Sequence, residues 1–296
     1  LAYYASDQRV YLDLATSEYA KAKIALRSFA ISNSNFANDL LLRAAPVYAA
    51  HGEGEFAAAL MTGISDNGYI ADAKNTKPSS PFARISPNEG IAALHVRIAA
   101  TLLDQKSADT ALVFARIANW LDPSNQSAKL LIADALESEG LPQAAQAERA
   151  TVPVSSPYWP RAIADALEQY QAANDNEAAL KLALDARKAR PNAANAALLL
   201  AQAYHNAGKE DDAAKMYRQI VDDADHAEAG TQQRAIYRLM LATVLDGQGD
   251  WTTAQRLLEE AAKLAPDNPT VLNYLGYSLL EREIDVARGS ELVTKA

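Results

Sequence analysis

The chain has 296 residues, of which 49% are hydrophobic and 22% are charged, values that are ordinary for a globular protein. Its formal net charge of -9 disfavours nucleic-acid binding, and the lack of cysteine excludes disulfides, thiolate catalysis and cysteine-bound zinc. Alanine makes up about a fifth of the chain. Because alanine favours helices and is depleted in strands, a β-rich fold is disfavoured.

The first ninety residues predict irregular helices. Helical periodicity covers Tyr11 to Ala30, a second helix is predicted over Phe36 to Ala50, and a third over Glu55 to Ile64. A turn with two glycines precedes the third helix. We interpret this region as one to two divergent helical repeats.

A Pro- and Ser-rich loop over residues 72–91 is predicted to follow them. Asn75 to Gly90 holds three prolines and three serines, which are incompatible with a helix across most of it. A loop of this length is either a surface linker or a functional segment. In the second case we expect it to fold back into a groove with Phe82 and Ile85 as anchors.

Two later stretches, Ala194 to Ala227 and Ala235 to Asn268, align without a gap. Each reads as an amphipathic helix, a turn that contains glycine, and a second amphipathic helix. The glycine supplies a backbone shape that other residues reach only with strain, and the alanines let paired helices approach closely. The aligned pairs include Leu200 with Leu241, Ala201 with Ala242, Gly208 with Gly249, and Ala213 with Ala254.

The same 34-residue register continues backward through the chain. The units are 92–125, 126–159, 160–193 and 194–227, then, after a seven-residue insertion at Glu228 to Arg234, 235–268 and a partial unit 269–296. This pattern resembles the tetratricopeptide repeat (TPR) family. The resemblance implies an all-α fold, a right-handed α-solenoid of helix–turn–helix repeats. We therefore divide the chain into a divergent part, 1–91, and a regular array, 92–296.

The stretch from Asp250 to Gly276 also resembles the C-terminal part of a group of bacterial TPR proteins. Members of that group usually carry an export signal and have no defined activity. The resemblance implies a periplasmic or cell-envelope location in a bacterium. Because the chain begins with Leu1 rather than Met, we expect that a preceding segment was removed, and such a segment could hold a signal or an anchor. No apolar run approaches the roughly 20 residues that span a membrane, so this segment is not expected to insert into one.

A search for catalytic or cofactor-binding motifs favours a protein that is not an enzyme. The sequence has no P-loop, no dinucleotide-binding glycine motif and no nucleophile elbow. None of the four histidines has a second ligand at metal-binding spacing. We therefore expect no cofactor and no metal.

The TPR resemblance implies that the first helix of each unit lines a concave surface that binds a partner. Amides, carboxylates and tyrosines at these positions can pair with an extended peptide and favour basic or neutral side chains. An ordinary solvated face is the alternative for each residue. The Lys and Asn pair of carboxylate-binding TPR domains is absent, since Val96 and Ala100 stand there. The candidate groove residues are Asp134, Arg161, Glu168, Asn195, Gln202, His205, Asn206, Thr243, Asn273 and Tyr277.

These patterns predict a noncatalytic scaffold that binds a peptide or helix of another protein. The alternative is an accessory module of a larger enzyme or of a secretion or envelope assembly, with the active part outside this chain. Neither interpretation includes nucleic acid as a partner, and both leave the oligomeric state open.

Overall fold

The computed structural model describes residues 2–32, 35–64, 67–191 and 193–296. In these ranges every regular element is helical, which confirms the all-α prediction. None of the helices described there is long and apolar enough to cross a membrane. The α-helices are Ala2–Ala15 (α1), Tyr19–Ser32 (α2), Asn35–Ala50 (α3), Gly54–Met61 (α4), Asn67–Lys74 (α5), Pro87–Asp104 (α6), Ala108–Leu121 (α7), Gln126–Ser138 (α8), Pro142–Arg149 (α9), Trp159–Ala172 (α10), Asn176–Ala189 (α11), Ala194–Asn206 (α12), Glu210–His226 (α13), Thr231–Gly247 (α14), Trp251–Leu264 (α15), Pro269–Glu281 (α16) and Val286–Lys295 (α17).

The chain forms two compact units, Leu1–Ala166 (unit 1) and Leu167–Ala296 (unit 2). The described residues of unit 1 form two hydrophobic clusters, one that includes Tyr48 and one that includes Ile132. Those of unit 2 form a cluster that includes Leu258. The predicted division into 1–91 and 92–296 follows the repeat register rather than compactness, and it stays a prediction.

The turn between the two helices of each repeat contains one residue with a left-handed backbone. A positive φ is strained for residues that carry a Cβ, so its recurrence marks a required geometry. From the first to the fourth turn the interval is 34 residues. It lengthens to 41 residues where the insertion lies and then returns to 34. These residues are Lys106, Gly140, Asn174, Gly208, Gly249 and Glu283, with φ between 52° and 84°.

Alanines pack where the paired helices meet. Large side chains at these points would hold the helices apart, whereas a methyl group allows close contact. Nine alanines that the register assigns to this role are all at most 1% exposed, which confirms the assignment. They are Ala99, Ala111, Ala133, Ala145, Ala179, Ala201, Ala213, Ala242 and Ala254.

The prediction of one helix over Tyr11 to Ala30 is wrong. The structure has two helices there, α1 and α2, separated by a turn at residues 16–18. Ser17 has a left-handed backbone with φ of 63°, and the Glu18 amide donates to the carbonyl of Asp13 at 2.7 Å. A local turn of this kind stops a helix without interrupting the hydrophobic periodicity on either side, so the pattern alone did not show it.

The interval between α5 and α6 is shorter than the predicted loop 72–91. It covers residues 75–86 and contains one 3₁₀ turn, Pro81–Ala83. The difference arises because Pro87 is the first residue of α6, where a missing N–H costs nothing. Ser86 and Glu89 form a capping box around it, each side chain accepting a hydrogen bond from the other residue's backbone amide.

The same interval packs against the hydrophobic cluster that includes Tyr48. Ile85 is 5% exposed and belongs to the first hydrophobic cluster of that unit, as expected of an anchor. Phe82 is 50% exposed and does not act as an anchor. The side chain of Arg43 on α3 instead holds this segment, donating a hydrogen bond to the Phe82 carbonyl at 3.1 Å.

The seven inserted residues lengthen two helices. α13 and α14 each have 17 residues, compared with 14 in α11 and 13 in α12. The additional turns are tied together by ion pairs of Asp225. Its carboxylate accepts from Arg234 Nε at 2.7 Å and from Arg238 Nη2 at 2.5 Å.

Two glycines bring α16 and α17 together. A Cβ on Gly276 would lie 2.8 Å from Val293 Cγ2 and 3.0 Å from the Gly289 carbonyl oxygen. A Cβ on Gly289 would lie 2.8 Å from Leu280 Cγ. Each glycine therefore provides space for the facing helix, and Gly289 fills the small-residue role of this last unit.

Candidate functional site

Two of the predicted groove residues in unit 1 pair with each other. Arg161 Nη2 donates to Asp134 Oδ2 at 2.5 Å, and Arg149 Nη2 lies 3.7 Å from Asp134 Oδ1. Burial raises the pKa of Asp134, and the charge of Arg161 opposes that shift. These partners occupy the Asp134 carboxylate. Glu168, further along α10, is exposed.

α12 carries four predicted residues along one helix. Asn195 and Gln202 are half-buried, whereas His205 and Asn206 are exposed. Residues three and four positions apart share a helix face, so Gln202, His205 and Asn206 are neighbours on the surface. His205 Nδ1 lies 2.8 Å from Glu210 Oε2, which fixes the imidazole near the start of α13.

The last three predicted residues lie on α14 and α16. Asn273 and Tyr277 are exposed and line an open groove of about 480 Å³ between these helices. Thr243 is half-buried, and its hydroxyl donates to the Leu239 carbonyl at 3.0 Å. The structure thus brings Asn273 and Tyr277 into one groove. Its wall consists of Asp246, Pro269, Thr270, Asn273, Tyr274, Tyr277, Ser278 and Glu281.

A polar network that the sequence did not predict supports this groove. The Tyr274 hydroxyl donates to Asp246 Oδ2 at 3.3 Å and makes a hydrogen bond with Thr243. Arg282 Nη2 donates to Asp246 Oδ1 at 2.5 Å, and its guanidinium carbon lies 4.3 Å from the Trp251 ring centre. Burial raises the pKa of Tyr274, and the nearby Asp246 charge adds to the shift. The phenol therefore stays neutral and acts as a hydrogen-bond donor.

The network was missed because its members lie in different repeats. Arg282 and Asp246 are 36 residues apart, and single-helix spacing does not connect them. Trp251 lies at helical spacing, which from the sequence alone indicates packing rather than a contact with a cation. The available signal was the repeat register, which places Tyr274 and Thr243 on the first helices of successive units.

Besides the α14–α16 groove of unit 2, the structure has a concave feature in unit 1, a partly enclosed cavity of about 690 Å³. Helices α1, α3, α5 and α6 form its walls, together with segments 75–82, 122–126 and 153–158. Two of these segments carry a Ser-Ser-Pro-aromatic sequence, at 79–82 and 155–158. The sequence predicts a linker or a groove segment for the first of them and does not predict a cavity.

A carboxylate in this cavity wall is held by residues far away in the chain. Tyr158 Oη donates to Asp39 Oδ1 at 2.5 Å, and Ser127 also makes a hydrogen bond to Asp39. Burial raises the pKa of Asp39, while these two hydrogen bonds and the charge of Arg161 lower it, so the net direction is upward. Asp39 is thus a fixed acceptor in a mostly apolar wall.

Comparison with known proteins agrees with the repeat architecture. Residues 163–228 and 239–286 match the family model of the tetratricopeptide repeat. No curated protein gave a match. Among solved structures, pilF of Pseudomonas aeruginosa is 17% identical with a TM-score of 0.50, and the alignment covers 69% of this chain and 90% of that one.

A TPR protein of Thermus thermophilus is 20% identical with a TM-score of 0.46, over 64% of this chain and 99% of that one. YrrB, described as a TPR protein with an unusual peptide-binding site, is 15% identical with a TM-score of 0.43, over 62% and 91%. At 17% identity, the similarity to pilF concerns the fold alone. Residues 163–228 and 239–286 are therefore tetratricopeptide repeats, and the recurring turn extends the same helix–turn–helix pattern, typical of an α-solenoid, over the neighbouring helices.

Proposed function

We propose that the chain is a noncatalytic scaffold that binds an extended peptide segment of a partner protein on the first helices of unit 2. Tetratricopeptide repeats support a protein-interaction role, and the family is generally noncatalytic. The observation that carries the peptide proposal is the α14–α16 groove. There Tyr277, 60% exposed, lies beside the fixed Tyr274–Asp246–Arg282 network.

The groove offers the kinds of group that a peptide needs. Tyr277 presents a large, rigid aromatic surface, and tyrosine is enriched where proteins bind one another. The Asn273 amide can donate and accept hydrogen bonds at the same time, as the backbone of an extended peptide requires. The network below keeps Tyr274 in place, so little freedom is lost there on binding.

α12 supplies a second row of such groups. Gln202 and Asn206 lie one helical turn apart on one face, with His205 beside them. Their amides match a peptide backbone rather than a charged side chain. With the groove carboxylates and the net charge of -9, this composition favours a neutral or basic peptide.

The first test selects peptides from a random display library with the full chain and measures the affinity of the best binder. We expect the variant Asn273→Ala with Tyr277→Ala to lower affinity at least about tenfold, because buried aromatic anchors dominate interface energies. Gln202→Ala with Asn206→Ala is expected to weaken binding as well. Both variants should keep the wild-type melting temperature, because their side chains are not in the hydrophobic core.

The matched control is Gln219→Ala, which removes an exposed amide from α13, a second helix. It should leave the peptide affinity unchanged. An equal loss of affinity in the control, or a melting temperature that falls together with affinity in the groove variants, would contradict the proposal. A library that yields no binder would also contradict it.

A further inference from the structure

We propose that the cavity of unit 1 binds a small amphipathic amine, a protonated amino group attached to an apolar body. This site is separate from the α14–α16 groove, so the two proposals fail independently. A volume of about 690 Å³ lies inside the range of roughly 300–1,000 Å³ that small-molecule sites occupy.

The walls of the cavity suit an apolar body. Most of the exposed wall is hydrocarbon, contributed by half-buried or exposed side chains such as Leu42, Phe82 and Ala93, and the buried Leu40 and Val96 complete the lining. Val96 and Leu40 belong to the hydrophobic core, so these surfaces are fixed by packing. An apolar group that enters the cavity removes its own surface from water without rearranging the protein.

The cationic side chains of the wall are already engaged within the protein. Arg43 Nη2 pairs with Glu89 Oε1 at 2.5 Å, and the same guanidinium donates to carbonyls of the 75–86 segment. Arg97, 6% exposed, donates to Asp7 Oδ2. The third cation, Lys77, is exposed at the rim.

The wall also contains two buried acceptors that lack a donor within the described chain. Asp7 is 4% exposed, and its Oδ1 atom is buried and makes no hydrogen bond within the described chain. The same holds for Gln126 Oε1. A buried acceptor without a donor is costly, so this wall favours a ligand that brings donors.

The charged residues of the wall favour a ligand whose hydrogen-bond donor is positively charged. Among the described residues of the wall, five carboxylates outnumber three cations, so the cavity favours a positive group over a negative one. Asp39 is the anchor, because Tyr158 and Ser127 orient its carboxylate and its side chain is only half-buried. The charged residues are Asp7, Asp39, Asp72, Glu89 and Asp122 against Arg43, Lys77 and Arg97.

The test compares three probes that share one apolar chain: octylamine, 1-octanol and octanoate. Titration calorimetry on the full chain at pH 7 measures their affinities. We expect octylamine to bind at least about tenfold more tightly than either of the other two. Octanol or octanoate binding as tightly as octylamine, or no binding of octylamine up to about 1 mM, would overturn the proposal.

Variants locate the site. Asp39→Asn should weaken octylamine binding about tenfold or more and leave octanol unchanged. Ala93→Leu should fill part of the cavity and weaken both. The matched control is Asp185→Asn, an exposed position on α11 that should change neither affinity. Circular dichroism checks that each variant folds, and octylamine binding that survives both cavity variants would overturn the assignment.

Discussion

Asp39 illustrates how much a single side chain depends on distant parts of the chain. Its hydrogen-bond partner Tyr158 lies 119 residues away, and both are in unit 1. Burial disfavours the ionised carboxylate, and the hydrogen bonds and the Arg161 charge compensate only in part. The folded protein therefore holds this carboxyl with a raised pKa.

The raised pKa makes stability depend on pH in a defined direction. The folded state holds the Asp39 proton more tightly than the unfolded state, so this group's contribution to stability is lost as pH rises through the folded pKa. Asparagine cannot ionise and still accepts from Tyr158. We expect Asp39→Asn to raise the free energy of unfolding at pH 7, and the gain to vanish below about pH 4, near the ordinary pKa of aspartate.

Urea unfolding at the two pH values measures this difference. Asp185→Asn, exposed on α11, should be equal to the wild type at both. A gain for Asp39→Asn that persists at low pH would mean that shape rather than charge is responsible. Asp39→Asn is thus expected to bind octylamine less well while being more stable, so weaker binding could not result from unfolding.

For single residues, the sequence predicts the helix on which a residue lies better than the side chains that it contacts. The repeat register was enough to place Asn273 and Tyr277 on the first helix of the last unit, because it fixes which helix a residue is on. It could not show that Asp134 pairs with Arg161, or that Asp246 is held by Arg282, since both pairs join different helices. The unit 1 cavity was not predicted, because the segments that enclose it are distant in sequence.

Among the helical elements, the pair α16–α17 meets at two glycines and is therefore sensitive to added volume. Gly276→Ala would place a methyl group 2.8 Å from Val293 Cγ2 and 3.0 Å from the Gly289 carbonyl oxygen, where backbone cannot easily give way. We expect a cost of about 1–3 kcal/mol in the free energy of unfolding, measured by urea denaturation.

Gly247→Ala is the matched control for this substitution. Gly247 ends α14, and a Cβ there would meet nothing within 4 Å. Alanine should therefore stabilise the helix by about 0.5–1 kcal/mol. If both variants changed stability in the same direction, the close approach of α16 and α17 would not be the cause.

The elements also show where periodicity succeeds and fails as a predictor. The small residues of the helix pairs were identified correctly because close packing leaves a sequence signal, alanine at fixed spacing. The turn at Ser17 leaves none, because serine is not a typical residue for a left-handed backbone. Likewise, Pro87 was assigned to a loop although proline is suited to the first turn of a helix.

At the scale of the whole molecule, a repeat protein should respond locally to damage. Ala254 is fully buried where α14 and α15 meet, and Ala254→Leu should overpack this contact at a cost of about 1–3 kcal/mol. Because repeats contact mainly their neighbours, amide hydrogen exchange should quicken in α14 to α16 and stay unchanged in α1 to α9.

The control for this measurement is Ala189→Leu, at an exposed position on α11 that can accept the larger side chain. It should leave exchange unchanged throughout. Faster exchange spread evenly over the chain would mean that the whole protein unfolds as one cooperative unit.

The seven-residue insertion indicates which insertion lengths the connection between α13 and α14 can accept. Seven residues correspond to about two α-helical turns, at 3.6 residues each, and the structure divides them between the end of α13 and the start of α14. Adding whole turns leaves the packed faces pointing in the same direction. Three residues added to one helix alone would rotate the residues after them by about 60° relative to the face that packs against the neighbouring helix. Natural variation at this connection should therefore come in steps close to whole turns.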